Sequence, residues 1–295
     1  MTASLSTDRP VPGRQVEVAP YVLRLTAPNP SLMTGPGTNS YLVGRKELVV
    51  IDPGPDDEAH ISAILDAAAA RRGNVRGVLV THTHPDHSPG AESLGKRAGA
   101  PLVGWSERDG FRPDRSAGDG DLIELGDMAI TALHTPGHAS NHLCYLIETG
   151  TGEPGAMLRV LFSGDHIMGG SSVVVAPPDG DMRAYLGSLD KLSELAPPLD
   201  AIAPGHGPLL TKPAEVISGY RSHRLEREAA VAASLSRRQS ALIDEIVADV
   251  YTDVPLALHP VARYSVWAHL RKLGEDGQAS CDDPGEISAP WSVSL

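Results

Sequence analysis

The chain is poor in several things, and each shortage excludes something. It has two cysteines, Cys144 and Cys281, in 295 residues. Two thiols cannot build a disulfide framework or a four-thiolate zinc site, which points to a reducing, cytoplasmic setting. Aromatic residues make up 4 %, as 7 Tyr, 3 Trp and 2 Phe, so platforms for stacking nucleic-acid bases are few. Basic residues are outnumbered, 25 Lys plus Arg against 37 Asp plus Glu, for a net charge of −12. That balance argues against a general nucleic-acid coat. No apolar run approaches the roughly 18 residues a membrane helix needs. The opening MTASLSTDRPVPGRQ holds no apolar stretch of the kind a signal peptide carries, so none is expected.

What is present fits a folded, globular chain. Apolar residues are 41 % of the chain, enough for a substantial core, and the length suits about two domains. Strand-like runs recur through the first 210 residues: Tyr21–Leu25, Ser40–Val43, Leu48–Ile51, Val75–Val80, Met128–Leu133, His142–Ile147 and Val160–Phe162. Many are continuously apolar, the mark of sheets covered on both faces. Between them lie helical patterns. Asp56 or Asp57 is placed to cap a segment ending near Arg72, with Ile61, Ile64, Leu65 and Ala68 on one face. A second helix is expected from about Asp181 to Glu194, with Tyr185, Leu189 and Leu192 inward. Strands interleaved with helices predict a layered α/β fold.

The character changes after Pro213. Residues 214–273 read as almost wholly helical, broken near Arg238–Ser240 and Asp253–Pro255. LHPVARYSVWAHLRKLGEDGQA reads as a helix followed by a Gly-turned hairpin, as in a winged helix. Residues 214–272 carry +1, whereas residues 1–213 carry −8 and 273–295 carry −5. The division expected is a catalytic domain over 1–213, a helical winged-helix-like domain over 214–280 and a flexible tail over 281–295.

The chemistry gathers around histidine. Thr81-His82-Thr83-His84-Pro85-Asp86-His87 follows the apolar run Val78–Val80 and precedes a helical segment. In extended chain, residues i and i+2 face one way, so His82 and His84 can serve one ion together. After the turn at Pro85, Asp86 and His87 can face a second ion. Three further segments each set a potential ligand at a strand end beside glycine: Thr135-Pro136-Gly137-His138, Ser163-Gly164-Asp165 and Pro204-Gly205-His206-Gly207. Imidazole and carboxylate together suit zinc, with iron or manganese as alternatives.

HTHPDH, TPGH, SGDH and PGHG, in that order, resemble the metallo-β-lactamase superfamily over roughly residues 20–210. The resemblance implies a four-layer αββα sandwich with two divalent metal ions at one edge, Zn2+ first, Mn2+ or Fe2+ as alternatives. Carried over by position, His82, His84 and His138 would bind one ion and Asp86, His87 and His206 the other, with Asp165 bridging. Gly35–Gly44, Val49–Gly54 and Tyr220-Arg-Ser-His-Arg-Leu-Glu-Arg-Glu228 are similar to the β-lactamase-like protein 2 group, extending the resemblance to about residues 20–280. Gly169–Ser172 departs from it, where many relatives carry a threonine pair.

Two ions sharing a water lower its pKa, so a bridging hydroxide is the implied nucleophile, with Asp86 orienting it and taking its proton. Asp52 is placed to hold the His-rich loop through hydrogen bonds. His223 and Arg224 are candidate substrate contacts; Arg227 reads as part of a salt-bridged helix face with Glu226 and Glu228. His134 and His142 read as structural and Cys144 as buried and inert; His166, beside Asp165, stays open. The reading favoured is hydrolysis of a small ester, thioester or amide. The alternatives are an endoribonuclease cutting single-stranded RNA, which the group resemblance implies, and a metal-sensing DNA-binding protein.

Overall fold

The computed structural model describes residues 5–125, 128–150, 157–170 and 172–294. The chain folds as two compact units. The first holds Met1–Thr135, Asn141–Ser171 and Leu195–Val216; the second holds Pro136–Ser140, Ser172–Glu194 and Ile217–Leu295. Among the described residues no helix is long and apolar enough to cross a membrane.

The first unit is built on two sheets. One has seven strands in chain order: β1 (Gln15–Ala19), β2 (Val22–Thr26), β3 (Asn39–Gly44), β4 (Glu47–Ile51), β5 (Asn74–Leu79), β6 (Leu102–Gly104) and β7 (Arg115–Ser116). The first four are antiparallel neighbours, and β4–β5, β5–β6 and β6–β7 are parallel. Helices α1 (Glu58–Ala70) and α2 (Gly90–Ala98) make the parallel crossovers. The other sheet runs β12-β11-β10-β9-β8, from β8 (Leu122–Leu125), β9 (Met128–His134), β10 (Leu143–Gly150), β11 (Met157–Gly164) and β12 (Ala201–Pro204). Only β11–β12 is parallel there.

Strand β4 shows why its sequence does not alternate. Val49 and Ile51 face a core shared with Tyr145, Ile147, Val160 and Phe162 of the second sheet. Leu48 and Val50 face the opposite core, with Ile61, Ile64 and Ala68 of α1 and Leu94 of α2. Both faces are buried, so the strand is apolar throughout. Helix α1 starts where the Asp57 carboxylate accepts from the His60 backbone N–H at 2.7 Å. Burial holds the His60 imidazole down at about 4.

In the second unit α3 (Met182–Ser193) is capped by Asp181, which accepts from the Ala184 N–H at 2.7 Å. Tyr185, Leu189 and Leu192 are buried, as its sequence predicts. Helix α4 (Pro213–Arg238) begins on proline and ends where Gln239 turns left-handed at φ 65°. It is followed by α5 (Ile243–Val250) and α6 (His259–Glu275). Val231, Leu235, Ile246, Val247, Val266 and Leu270 form their common core.

The expected flexible tail at 281–295 needs correction. Trp291–Val293 form a strand, β15, which pairs with both β13 (Ser240–Ala241) and β14 (Ala279–Ser280). Trp291 is 1 % exposed and sits in the helical core. The wing's return strand is therefore inside the segment read as tail, after a loop of residues 281–290. Local composition concealed this, because the stabilising contact is one tryptophan meeting residues far away in sequence.

Two outcomes test these points. Trp291→Ala should cost about 3–5 kcal/mol, the usual cost of emptying a large aromatic site, read by denaturant unfolding; a change below about 0.5 kcal/mol, as at neutral surface sites, would contradict the packing. His60 binds a proton more readily unfolded than folded, so its contribution is full above about 6.5 and is lost as pH falls towards 4. His60→Gln should remove about 3 kcal/mol of the stability lost over that window, measured as the difference from the parent chain.

Candidate metal centre

The C-terminal ends of four strands in the first unit meet at one place. β4 delivers Asp52, β5 delivers Thr81–His87, β11 delivers Asp165 and β12 delivers His206. Asp52 accepts from the Thr81 backbone N–H and hydroxyl, both at 2.8 Å, and pairs with His87 Nδ1 at 2.9 Å. His87 therefore turns Nε2 inward. That atom lies 3.4 Å from Asp86 Oδ2 and 3.3 Å from Asp165 Oδ1. His206 Nδ1 donates to the Gly37 carbonyl at 3.3 Å, which turns its Nε2 to Asp86 Oδ2 at 3.1 Å and Asp165 Oδ1 at 3.3 Å. His82 Nδ1 meets the Thr81 hydroxyl at 3.0 Å, and its Nε2 is 2.9 Å from His84 Nδ1. Fixing one ring nitrogen so that the other is presented is how metal-binding imidazoles are oriented.

Within the first unit two groups of candidate ligand atoms result, His82 with His87 and Asp165, and Asp86 with His87 and His206, each within 4.8 Å. Burial opposes charge on Asp86, His87, Asp165 and His206. The His87 and His206 imidazoles nonetheless hold Asp86 and Asp165 well below the usual carboxylate range. Against burial, Asp86, Asp165 and Asp52 raise His87 well above the ordinary histidine value, and Asp165 and Asp86 raise His206 to about 9. Asp165, buried, and Asp86, partly exposed, lie against the same two imidazoles and demand positive charge, from protons or from a cation. His87 Nε2 is fully enclosed and makes no hydrogen bond despite the two carboxylates beside it. A nitrogen so aimed, with an imidazole and carboxylate donor set, fits a divalent cation such as zinc.

Two glycines make the close approach possible. A Cβ on Gly205 would lie 2.7 Å from Asp165 Oδ1 and from His87 Cε1. Gly164 is left-handed at φ 46°, and a Cβ there would lie 2.5 Å from the Thr81 hydroxyl.

Residues 33–206 match the model of the metallo-beta-lactamase superfamily. The chain belongs to that superfamily. Residues 243–286 match the beta-lactamase associated winged helix domain. The chain is 31 % identical to the beta-lactamase-like protein 2 homolog of Drosophila melanogaster, over 92 % of this chain and 95 % of that one. It is 31 % identical to an atrochrysone carboxyl ACP thioesterase of Aspergillus chevalieri, over 83 % of this chain and 78 % of that one. In fold it resembles the crystal structure of a beta-lactamase domain protein from Burkholderia ambifaria, with TM-score 0.76 and 21 % identity over 96 % of this chain and 94 % of that one. The mixed α/β metallo-β-lactamase fold with a C-terminal winged helix is thus the architecture, and the protein is a hydrolase of that fold.

The remaining candidates lie as follows. His138 stands in the Pro136–Ser140 segment of the second unit, its Nδ1 donating to the Val174 carbonyl at 2.7 Å. Arg224 is 1 % exposed, donates to the Val173 carbonyl and lies over the Tyr185 ring at 5.2 Å. His223 is 3.5 Å from Arg227, whose guanidinium bonds the Val250 carbonyl and Asp253 rather than Glu226 or Glu228. His134 stacks on Trp105 at 3.8 Å, and Cys144 is buried and accepts from the Thr135 hydroxyl. His166 is buried, with its ring 5.8 Å from that of His142.

Sequence reasoning missed several residues that shape the centre. His142, read as packing, accepts from the Asp165 backbone N–H at 3.2 Å. Thr38 donates to Asp86 Oδ2 at 3.1 Å. Asn39 donates to the Pro204 and Gly207 carbonyls at 3.0 and 2.9 Å, clasping the His206 loop. Its one signal was membership of the Gly35–Gly44 motif.

Replacing Gly205 by alanine should weaken Zn2+ binding at least about tenfold, the scale on which displaced ligand supports act, with the circular dichroism spectrum kept. Unchanged zinc affinity would mean that the Asp165–His87 approach does not matter.

Proposed function

We propose that the protein hydrolyses small acyl thioesters, esters or amides with a pair of divalent cations, zinc by preference. His82, His84 and His138 hold one cation, Asp86, His87 and His206 the other, and Asp165 lies between. The observation that carries this reading is Asp165 Oδ1, equidistant at 3.3 Å from His87 Nε2 and His206 Nε2 and grouped with His82. Bound cations supply Lewis acidity to the scissile carbonyl and a water acid enough to attack it near neutral pH.

The chain's own groups do the rest. Asp86 is the more open of the two carboxylates, its side chain 24 % exposed against 11 % for Asp165. It orients the attacking water through one oxygen and receives its proton. Thr38 and His206 hold Oδ2 of Asp86, which keeps the carboxylate in place. Asp52 keeps His87 in one tautomer through its Nδ1 bond. A thioester suits such a site, since a departing thiolate needs little help from a general acid.

The loop between β2 and β3 points to the substrate class. Its base is tied to the centre by Thr38 on Asp86 and Gly37 on His206, and its tip presents Leu32 and Met33, 70 % and 48 % exposed. Residues 27–38 contain no lysine or arginine. An apolar, uncharged approach suits an acyl chain; a phosphodiester backbone wants cations. The relative named as an ACP thioesterase supports the same class.

Zinc-loaded protein should hydrolyse acyl thioesters of a chain-length series, stop with chelator, and change little from 50 to 500 mM salt. Asp165→Asn should lower kcat by at least about a hundredfold, as loss of a charge stabiliser does, and reduce bound zinc, whereas His134→Ala should leave zinc content as in the parent. Cutting of end-labelled single-stranded RNA that falls steeply with salt, without thioester hydrolysis, would overturn the assignment.

A further inference from the structure

The HTH run alternates. His82 and His84 lie on one side of an extended segment, and Thr81 and Thr83 on the other. Each threonine is held by an aspartate. Thr81 donates its backbone N–H and hydroxyl to Asp52 at 2.8 Å. Thr83 donates its hydroxyl to Asp109 Oδ2 at 2.6 Å. The two aspartates share an uncommon backbone: both are left-handed, at φ 49° for Asp52 and 51° for Asp109. Non-glycine residues enter that region at a cost of about 1–2 kcal/mol, so a surrounding structure must hold them there.

At Asp109 that structure is a short turn. Arg108 and Phe111 exchange backbone bonds at 3.1 and 2.9 Å, and Phe111 is sunk in the core beneath α1 and α2. Thr83 is clamped from three directions. Asn141, 4 % exposed, donates Nδ2 to the Thr83 hydroxyl oxygen at 2.9 Å, and Ser88, the residue after His87, donates to the Thr83 carbonyl at 3.3 Å. Asn141 donates to a lone pair of that oxygen, so the hydroxyl proton is left for Asp109.

We propose that Asp109 is a positioning residue for the metal centre: with Asn141 it locks Thr83, and through Thr83 it sets the direction in which His82 and His84 present their nitrogens. The idea rests on the proposed metal site and adds a support that no motif contains. Asp109 lies 25 residues beyond His84, outside every ligand segment, and touches no ligand itself. Its effect falls on the cation that His82 and His84 serve. Asp52 differs: it holds His87 directly at 2.9 Å and reaches His82 through the Thr81 hydroxyl, so it serves both cations.

The test is a competition titration of apo-protein with Zn2+ against a chromophoric chelator, together with the visible spectrum of the Co2+-loaded protein and apo-protein melting. Asp109→Ala should weaken one of two zinc sites about tenfold or more, the scale of lost outer hydrogen bonds, and alter the Co2+ bands. The second affinity should match the parent, and the apo-protein should still unfold in one cooperative transition. Asp109→Asn keeps an acceptor and loses the charge, so it should restore the parent affinity and spectrum; Thr83→Ser should do the same. Asp109→Ala with both affinities and the spectrum unchanged overturns the inference while the metal reading stands. So does Asp109→Asn behaving like Asp109→Ala, which would mean that charge rather than the clamp is at work. Parent protein that takes up no Zn2+ overturns the metal reading and this inference with it.

Discussion

Two carboxylates, Asp165 buried and Asp86 partly exposed, dominate the first unit. Asp86 and Asp165 approach the same pair of imidazoles within 3.1–3.4 Å. In water they would repel weakly; enclosed among β-sheet ends they require positive charge at close range. Much around them keeps that requirement from being relieved by movement. Asp52 fixes His87, Gly37 fixes His206, and Asn39 clasps the loop that carries His206. Glycine at 164 and 205 removes the side chains that would push the loops apart.

The sheets explain why this can be rigid. Continuous apolar strands bury both faces and leave their ends as the one place where polar loops can gather. Tyr145 reaches from the second sheet to donate to the Val80 carbonyl at 2.9 Å, just before the HTH run. The Tyr41 hydroxyl donates to the Pro204 carbonyl at 2.8 Å, just before His206. The two sheets therefore grip the two ligand loops by backbone atoms. The positions of the imidazoles are consequences of core packing as much as of local sequence.

The second unit follows different rules. Its core is helical, and the sheet that completes the winged helix consists of strands of two and three residues. Several of its basic side chains are paired with acidic neighbours: Arg263 with Asp244, Lys272 with Glu228 and Asp276, and Arg183 of α3 with Glu275 and Asp276 of the α6 end.

Read alone, the sequence determined the elements whose signal is local. The doubly buried strands, the helix starts near Asp57 and Asp181 and the ordered histidine motifs are each written within a few residues, because periodicity, capping and ligand spacing act over that range. The family followed from the same motifs. Tertiary structure alone decided what depends on distant partners. It decided that Trp291 is core rather than tail, and that His142 accepts from the Asp165 backbone rather than only filling space. It also decided that Thr83 meets Asp109 and that Arg227 pairs with Asp253. These contacts join segments separated by tens of residues, and no local pattern encodes them, since one side chain's hydrogen-bonding capacity is open to many partners until packing selects one.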